Sequence, residues 1–317
     1  MATETKALPK ESYIIPAELA IKAMRDSGYR NTAYALAELI DNSVQAKASL
    51  VELICVEEMI QVSDRRRRRL KSIGVLDNGT GMSPELLRHA LQFGYGTHLD
   101  DRSGIGRFGI GLPNASISQG RRVDIWTWQR GPDNAMRCYL DVDEIEAGKL
   151  VMIPEPLASP VPAEWRALGH GFSTSGTLVV WTKFDEERLT WKGAKATLDN
   201  TESLVGRMYR KFIADGSLRI RLCAAEDGKL REQDVRVNDP LYLLTPSSTP
   251  ASFDKTPMFQ QFGEQDQTFD ISFRGGTHTV TVRASWATKA TLPERTGRIA
   301  APRTMANTPP RTSAFQS

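Results

Sequence analysis

No stretch of this sequence is apolar for long enough to cross a membrane. Its N-terminus, MATETKALPKESY, has neither the apolar run of a signal peptide nor the basic amphipathic look of a transit peptide. Cysteine is scarce: Cys55, Cys138 and Cys223 are scattered and odd in number, with no CxxC pair. That argues against a disulfide framework or a zinc site and fits core thiols in a reducing compartment. The four histidines, His89, His98, His170 and His278, show no metal-ligand spacing. Net charge is small as well. Forty-one basic against 38 acidic residues leave +3, too little by itself to argue for a polyanionic partner. The expectation is a cytoplasmic protein with no membrane partner. GxxxxGK[ST] is absent, and so are HRD and DFG, which excludes a P-loop and a protein kinase. What remains is an ordinary soluble composition, 40% hydrophobic and 25% charged over 317 residues, long enough for two domains.

Two stretches stand out from that background. Residues 32–46, TAYALAELIDNSVQA, form an amphipathic helix pattern. Glu38, Asp41, Asn42 and Gln45 recur at i, i+3, i+4 and i+7 on one face, with Ala33, Leu36, Leu39, Ile40 and Val44 opposite. A surface helix with its polar side in water would look the same. The adjacent Asp41 and Asn42 are costly inside a helix, however, because both compete for backbone hydrogen bonds. Residues 77–116 begin DNGTGM and end GIGRFGIGLPNAS, an acidic turn followed by a glycine-rich loop and a short helix over 113–119.

Gly104, Gly106, Gly109 and Gly111, with Arg107 and Phe108 between them, free backbone N–H groups to approach an anion, and the helix beyond adds its own amides. GxGxxG alone is a weak signal, because it also opens a dinucleotide fold. That rival needs a strand just before the glycines, and THLDDRS precedes them here. Asp77 closes a short apolar strand; an aspartate so placed can accept a hydrogen bond from the exocyclic amine of adenine. Gly79 and Gly81 let the backbone pass close to a base, and Met82 can pack on its face. Taken in isolation, DNG is a simple turn. Asn42 offers an oxygen to Mg²⁺, which keeps several waters and needs few protein ligands beside phosphates. Glu38, one turn earlier on the same face, can hold a water in line with a terminal phosphate and take its proton. Asp41 would brace the region by hydrogen bonding.

The pattern of Glu38, Asp41-Asn42, DNGTGM, GIGRFGIG and the later Gly176-Thr177 resembles, in order and spacing, the motifs of the GHKL ATPases (gyrase, heat-shock chaperone, histidine kinase, MutL). AELIDNSVQA, LQFGYGT and RMYRKFIADGSLRIRL look most like the microrchidia (MORC) ATPases and their bacterial relatives. The resemblance implies an α/β fold of Bergerat type, a mixed sheet covered by helices on one face. It implies Glu38 as general base, Asn42 as Mg²⁺ ligand, Asp77 at adenine, and residues 104–111 around the phosphates. Thr177 would add a hydroxyl near the base, and residues 94–103 would be the ATP lid. The activity implied is Mg-dependent ATP hydrolysis that drives lid closure and nucleotide-dependent homodimerisation, a clamp acting on DNA or a protein client. A histidine-kinase-like phosphotransferase and a non-hydrolysing nucleotide-sensing scaffold are the alternatives. Kinases of the class generally lack a glutamate at the position of Glu38, and the pocket begins near residue 16 with no room upstream for a dimerising hairpin.

The expected domains are an arm over 1–15, the ATP-binding domain over 16–190, an incomplete transducer-like α/β domain over 191–287, and a Pro/Thr/Arg-rich tail over 288–317. Within them, strands are expected over 49–62, 72–76, 123–129, 136–142, 150–153, 177–184 and 218–224, and helices over 17–26, 84–93 and 198–213, with a hairpin around Arg274-Gly275-Gly276. Arg65, Arg66, Arg67, Arg68 and Arg69 are read as a turn, either a solvated charge run or a contact for DNA phosphates. Lys289 is a candidate for the lysine that reaches the γ-phosphate from a transducer loop, and also reads as a solvated loop lysine.

Overall fold

A computed structural model describes residues 17–93, 111–244 and 259–288. The chain divides into two compact units, one of Met1–Pro240 with Leu244–Ser248, the other of Leu241–Leu243 with Thr249–Ser317.

The first unit is built on an eight-stranded mixed sheet. Its strands are β1 (Leu50–Val62), β2 (Arg65–Asp77), β3 (Gly120–Trp128), β4 (Met136–Asp141), β5 (Leu157–Ala158), β6 (Gly176–Phe184), β7 (Arg219–Glu226) and β8 (Lys229–Asp234), in the spatial order β5-β4-β3-β6-β2-β1-β7-β8. All neighbours are antiparallel except β1 and β7, which pair in parallel from Leu50↔Arg219 to Glu57↔Glu226. The central strands are buried on both faces, so they read as near-continuous apolar runs, Val51 to Cys55 and Ile73 to Leu76.

Helices α1 (Ala17–Asp26), α2 (Thr32–Gln45), α3 (Pro84–Ala90), α4 (Gly111–Gln119), α5 (Val142–Glu146), α6 (Ala163–Leu168), α7 (Ala194–Met208) and α8 (Arg210–Ala214) complete the unit. On one face of the sheet, Leu36, Leu39 and Ile40 of α2, Ala115 and Ile117 of α4, and Leu198 and Val205 of α7 pack on Val51, Leu53, Val75 and Val179. The opposite face carries a second apolar layer of Ile54, Leu76, Trp126, Trp128, Leu178 and Val180, covered by Val161 and by Trp165 of α6. The sequence reading placed helices on one face only; α6 covers the other. Gly74 makes room for it, since a Cβ there would lie 2.4 Å from the Trp165 ring. Cys55, Cys138 and Cys223 are free and buried.

Local chemistry explains several element ends. Asn31 caps α2 by accepting from the Tyr34 N–H, and Ser83 caps α3 with Pro84 at its first position. Two differences from the sequence reading are instructive. Arg65 to Arg69 lie in β2, with only Ser63 and Asp64 left for the turn, and they pair with Val62 back to Glu58. Strand pairing outweighs like-charge crowding there because alternate arginines point to opposite faces and Arg68 finds Glu226 and Asp227, both at 2.9 Å. Residues 150–153 form no strand; the edge strand is β5 instead.

Helix α7 and strands β7 and β8 belong to the first unit, and β7 extends its sheet. In the second unit, β9 (Phe259–Gln261) pairs with β12 (Ser285–Ala287), and β10 (Gln267–Phe273) with β11 (Gly276–Val282). Arg274 and Gly275, with φ of 48° and 76°, make the tight turn of that hairpin. The arm over 1–15 and all but the first residue of the 288–317 tail lie outside the described residues.

Candidate functional site

A cavity of about 270 Å³ opens between α2, α3, the start of α4 and the ends of β2 and β6. Glu38, Asn42, Asp77, Gly81, Met82, Gly111 and Thr177 all line it. Residues that are 139 positions apart in the chain therefore face one volume (177 minus 38). Gly79 is adjacent rather than lining: its N–H donates to Asp77 Oδ1 at 2.8 Å. Gly104, Gly106, Arg107, Phe108 and Gly109 lie outside the described residues, as do residues 94–103, His98 and Lys289.

The floor is Asp77, 5% exposed at the end of β2. Its carboxylate accepts from Ser43 Oγ at 3.1 Å as well as from Gly79. Burial pushes its pKa up to about 6, against the hydrogen bonds from Gly79, Ser43 and the backbone of Thr177. The turn that follows is stitched on every side. Asn78 Oδ1 accepts from the N–H groups of Ser49 and Leu50, both at 2.9 Å. The Thr80 N–H donates to Ala46 O at 3.0 Å, and Ser175 Oγ donates to Gly79 O at 2.7 Å. Met82 N–H donates to Thr127 Oγ1 at 2.8 Å, and Thr127 in turn shares a hydrogen bond with Thr177 at 3.1 Å. Gly81 has φ +65°, and a Cβ there would sit 2.1 Å from the Trp128 carbonyl oxygen. Only glycine fits that position.

The wall is α2. Glu38, Asn42 and Gln45 of its polar stripe line the cavity, while Asp41 turns to Tyr209; Glu38, Asp41 and Asn42 are half-buried. Glu38 abuts Gly111, where a Cβ would fall 2.0 Å from Glu38 Oε1. Burial raises the Glu38 pKa, the Asp41 charge raises it further, and a hydrogen bond from Tyr29 acts in the opposite sense. Asp41 is also raised by burial and restrained by the Tyr209 hydroxyl. Asn42 carries a buried Nδ2 with no hydrogen-bond partner among the described residues. On the cavity wall it is the Asn42 Oδ1 that could serve a hard cation taking its remaining ligands from phosphate and water, while the unpartnered Nδ2, a donor, could not.

Sequence reading missed Tyr29, Ser43, Thr127 and Tyr209. Tyr209 lies inside the RMYRKF run, but nothing local signals that its hydroxyl reaches Asp41, 168 residues earlier. Thr127 could have been found by parity: it alternates with Trp126 and Trp128 and so faces away from the second apolar layer.

Comparison with known proteins agrees with this geometry. Residues 29–164 match the family model described as "Histidine kinase-, DNA gyrase B-, and HSP90-like ATPase". Protein MICRORCHIDIA 4 of Arabidopsis thaliana is 33% identical over 99 residues, 31% of this chain and 12% of that protein. Protein MICRORCHIDIA 6 of the same plant is 30% identical over 93 residues, 29% of this chain and 13% of its own length. The chain thus matches a small part of those relatives. A solved structure described as "Crystal Structure of N terminal domain of a DNA repair protein" superposes with a TM-score of 0.50 at 13% identity, covering 84% of this chain and 70% of that one; it shows a shared fold. The mixed sheet, the cavity beneath α2 and these matches identify residues 29–164 as a GHKL-type ATPase domain of the histidine kinase, DNA gyrase B and HSP90 class, with microrchidia proteins among its relatives.

Proposed function

We propose that this chain binds ATP in the cavity under α2 and hydrolyses it with Mg²⁺, as the motor of a nucleotide-dependent dimerising switch. The observation that carries the reading is the convergence of Glu38, Asn42, Asp77 and Thr177 on one cavity. Asp77 would accept from the adenine amine, with Met82 against the ring and the Gly79–Gly81 backbone beside it. Thr177, tied to Thr127, would offer its hydroxyl at the same end. Gly111 and the α4 N-terminus lie toward the phosphate end, with Gly104, Gly106, Arg107, Phe108 and Gly109 proposed to wrap the phosphates.

Asn42 would hold Mg²⁺, which when bound neutralises phosphate charge. Glu38 would orient the attacking water and accept its proton. Its burial and the neighbouring Asp41 raise its proton affinity, which suits a general base. The second unit is proposed to act as a transducer, and DNA or a protein as the client of the closed dimer. Three buried free thiols and a chain in which no helix of the described residues is long and apolar enough to cross a membrane fit a cytoplasmic site of action.

The decisive experiment separates binding from turnover. Glu38→Ala is expected to retain affinity for ATP while phosphate release falls by about 10²-fold to 10⁴-fold. A variant that turns over at the wild-type rate removes Glu38 from its role. A wild-type chain that binds nucleotide without releasing phosphate leaves a nucleotide-sensing module in place of an ATPase.

A further inference from the structure

Two acids stand half-buried on α2, and a tyrosine from a distant part of the chain holds one of them, Asp41. Tyr29, just before α2, donates its hydroxyl to the Gly111 carbonyl at 3.4 Å, beside Glu38. Tyr209, at the junction of α7 and α8, is 4% exposed, and its hydroxyl reaches Asp41 Oδ1 at 2.5 Å and the Ala37 carbonyl at 3.1 Å. Ala37 and Asp41 are one helical turn apart and bracket Glu38, with Asn42 next along the chain. One hydroxyl therefore bridges the turn of α2 that presents the proposed base.

The ring of Tyr209 packs in the apolar layer with Leu39, Val205 and Leu218. A phenylalanine would fill that layer equally well, without the cost of burying a hydroxyl. Its presence beside a carboxylate is what needs a reason.

The post from which Tyr209 reaches α2 is itself fixed at both ends. Glu57 of β1 accepts from the Ala194 N–H at the start of α7. Toward the end of α7, Glu202 holds Arg236 at 2.9 Å, and the Asn238 N–H donates to the Gly206 carbonyl at 3.1 Å. Gly206 permits this closeness, because a Cβ there would meet the Arg236 carbonyl oxygen at 2.4 Å. Opposite Tyr209, Gly111 leaves Glu38 little latitude. The α2 turn is thus located between a fixed tyrosine on one side and α4 on the other.

We propose that Tyr209 is a positioning residue for hydrolysis: through Asp41 and the Ala37 carbonyl it sets the turn of α2 that aims Glu38 at the attacking water. This rests on the reading of Glu38 as the base. Tyr209 is not among the described residues that line the cavity, so its contribution is expected in the chemical step and not in nucleotide affinity.

The test is a double-mutant cycle on the full chain, read as turnover and, separately, as equilibrium binding of a non-hydrolysable ATP analogue with Mg²⁺. Tyr209→Phe is expected to lower kcat about tenfold or more while the analogue Kd stays within about twofold. Asp41→Ala is expected to do the same. The double variant is expected to be no worse than the poorer single one, because the two groups act as one. Three outcomes overturn the proposal: a Tyr209→Phe kcat within about twofold of wild type, losses of kcat and affinity in equal proportion, or effects that multiply in the double variant. The parallel Glu38→Ala variant separates the two failures. If Glu38→Ala is inactive and Tyr209→Phe is fully active, Tyr209 alone is dismissed; if Glu38→Ala is fully active, the base itself was misassigned and this inference goes with it.

Discussion

Asp77 is the buried side chain that, on the proposed reading, would set both pH response and base choice. Burial raises its pKa from 3.8 to about 6, so folding favours the neutral acid. The stability that this site contributes is complete below about pH 4 and is lost as pH rises through about 6. An adenine amine reverses the preference, because a donor at the carboxylate favours the charged form. Guanine presents a carbonyl where adenine presents the amine, while both triphosphates titrate alike. The ATP-over-GTP preference is therefore expected to be widest above about pH 7 and to narrow below about pH 6, measured by competition binding. A ratio flat across that range would remove Asp77 from the base. At the other end of the cavity, Gly111→Ala places a Cβ 2.0 Å from Glu38 Oε1, the movable tip of a side chain. Glu38 yields instead of the backbone, so the expectation is a Tm near that of wild type with turnover reduced about tenfold or more. An unfolded Gly111→Ala variant, or one with full activity, would show that Glu38 is not held where the structure places it.

At the scale of elements, the sheet is held from two sides, and the less obvious side rests on one short helix. Trp165 of α6 is 4% exposed and lies over Gly74, covering the layer that contains Trp126 and Trp128. Trp165→Ala is expected to cost about 3–5 kcal/mol, read from the denaturant midpoint, with the m-value unchanged. A loss below about 1 kcal/mol would mean that the second face is dispensable. How much of this was legible in the sequence follows from the range of each interaction. Helix α2 and the turn after Asp77 could be read directly, because a 3.6-residue period and a glycine-rich turn are local signals. Arg65 to Arg69 could not be read, because their strand state depends on pairing with Val62 to Glu58 and on Glu226 and Asp227 from far along the chain. α6 escaped because its weight comes from one tryptophan against a glycine 91 residues earlier (165 minus 74), which no window captures.

At the scale of the molecule, the same distinction decides where the first unit ends. A change in character near residue 190 marks the loop into α7; β7 then returns to pair in parallel with β1, and the unit continues through Pro240. Parallel pairing between strands about 170 residues apart leaves no trace in local composition, so the first unit runs further than the local change in character suggests. This extension puts Tyr209 and the Glu202–Arg236 clamp inside the first unit. If nucleotide binding is read out as assembly, affinity for ATP should be coupled to association, and the coupling must be reciprocal. The expected outcome is a monomer mass by light scattering without nucleotide and twice that mass with a non-hydrolysable analogue and Mg²⁺. Glu38→Ala should reach the doubled mass with ATP itself, because it holds the triphosphate state that wild type consumes. Asp77→Ala should stay monomeric at the same nucleotide concentration, since it loses the ligand and not the interface. Equal masses under all four conditions would separate the ATPase from any dimerising switch and leave the cavity to serve hydrolysis alone.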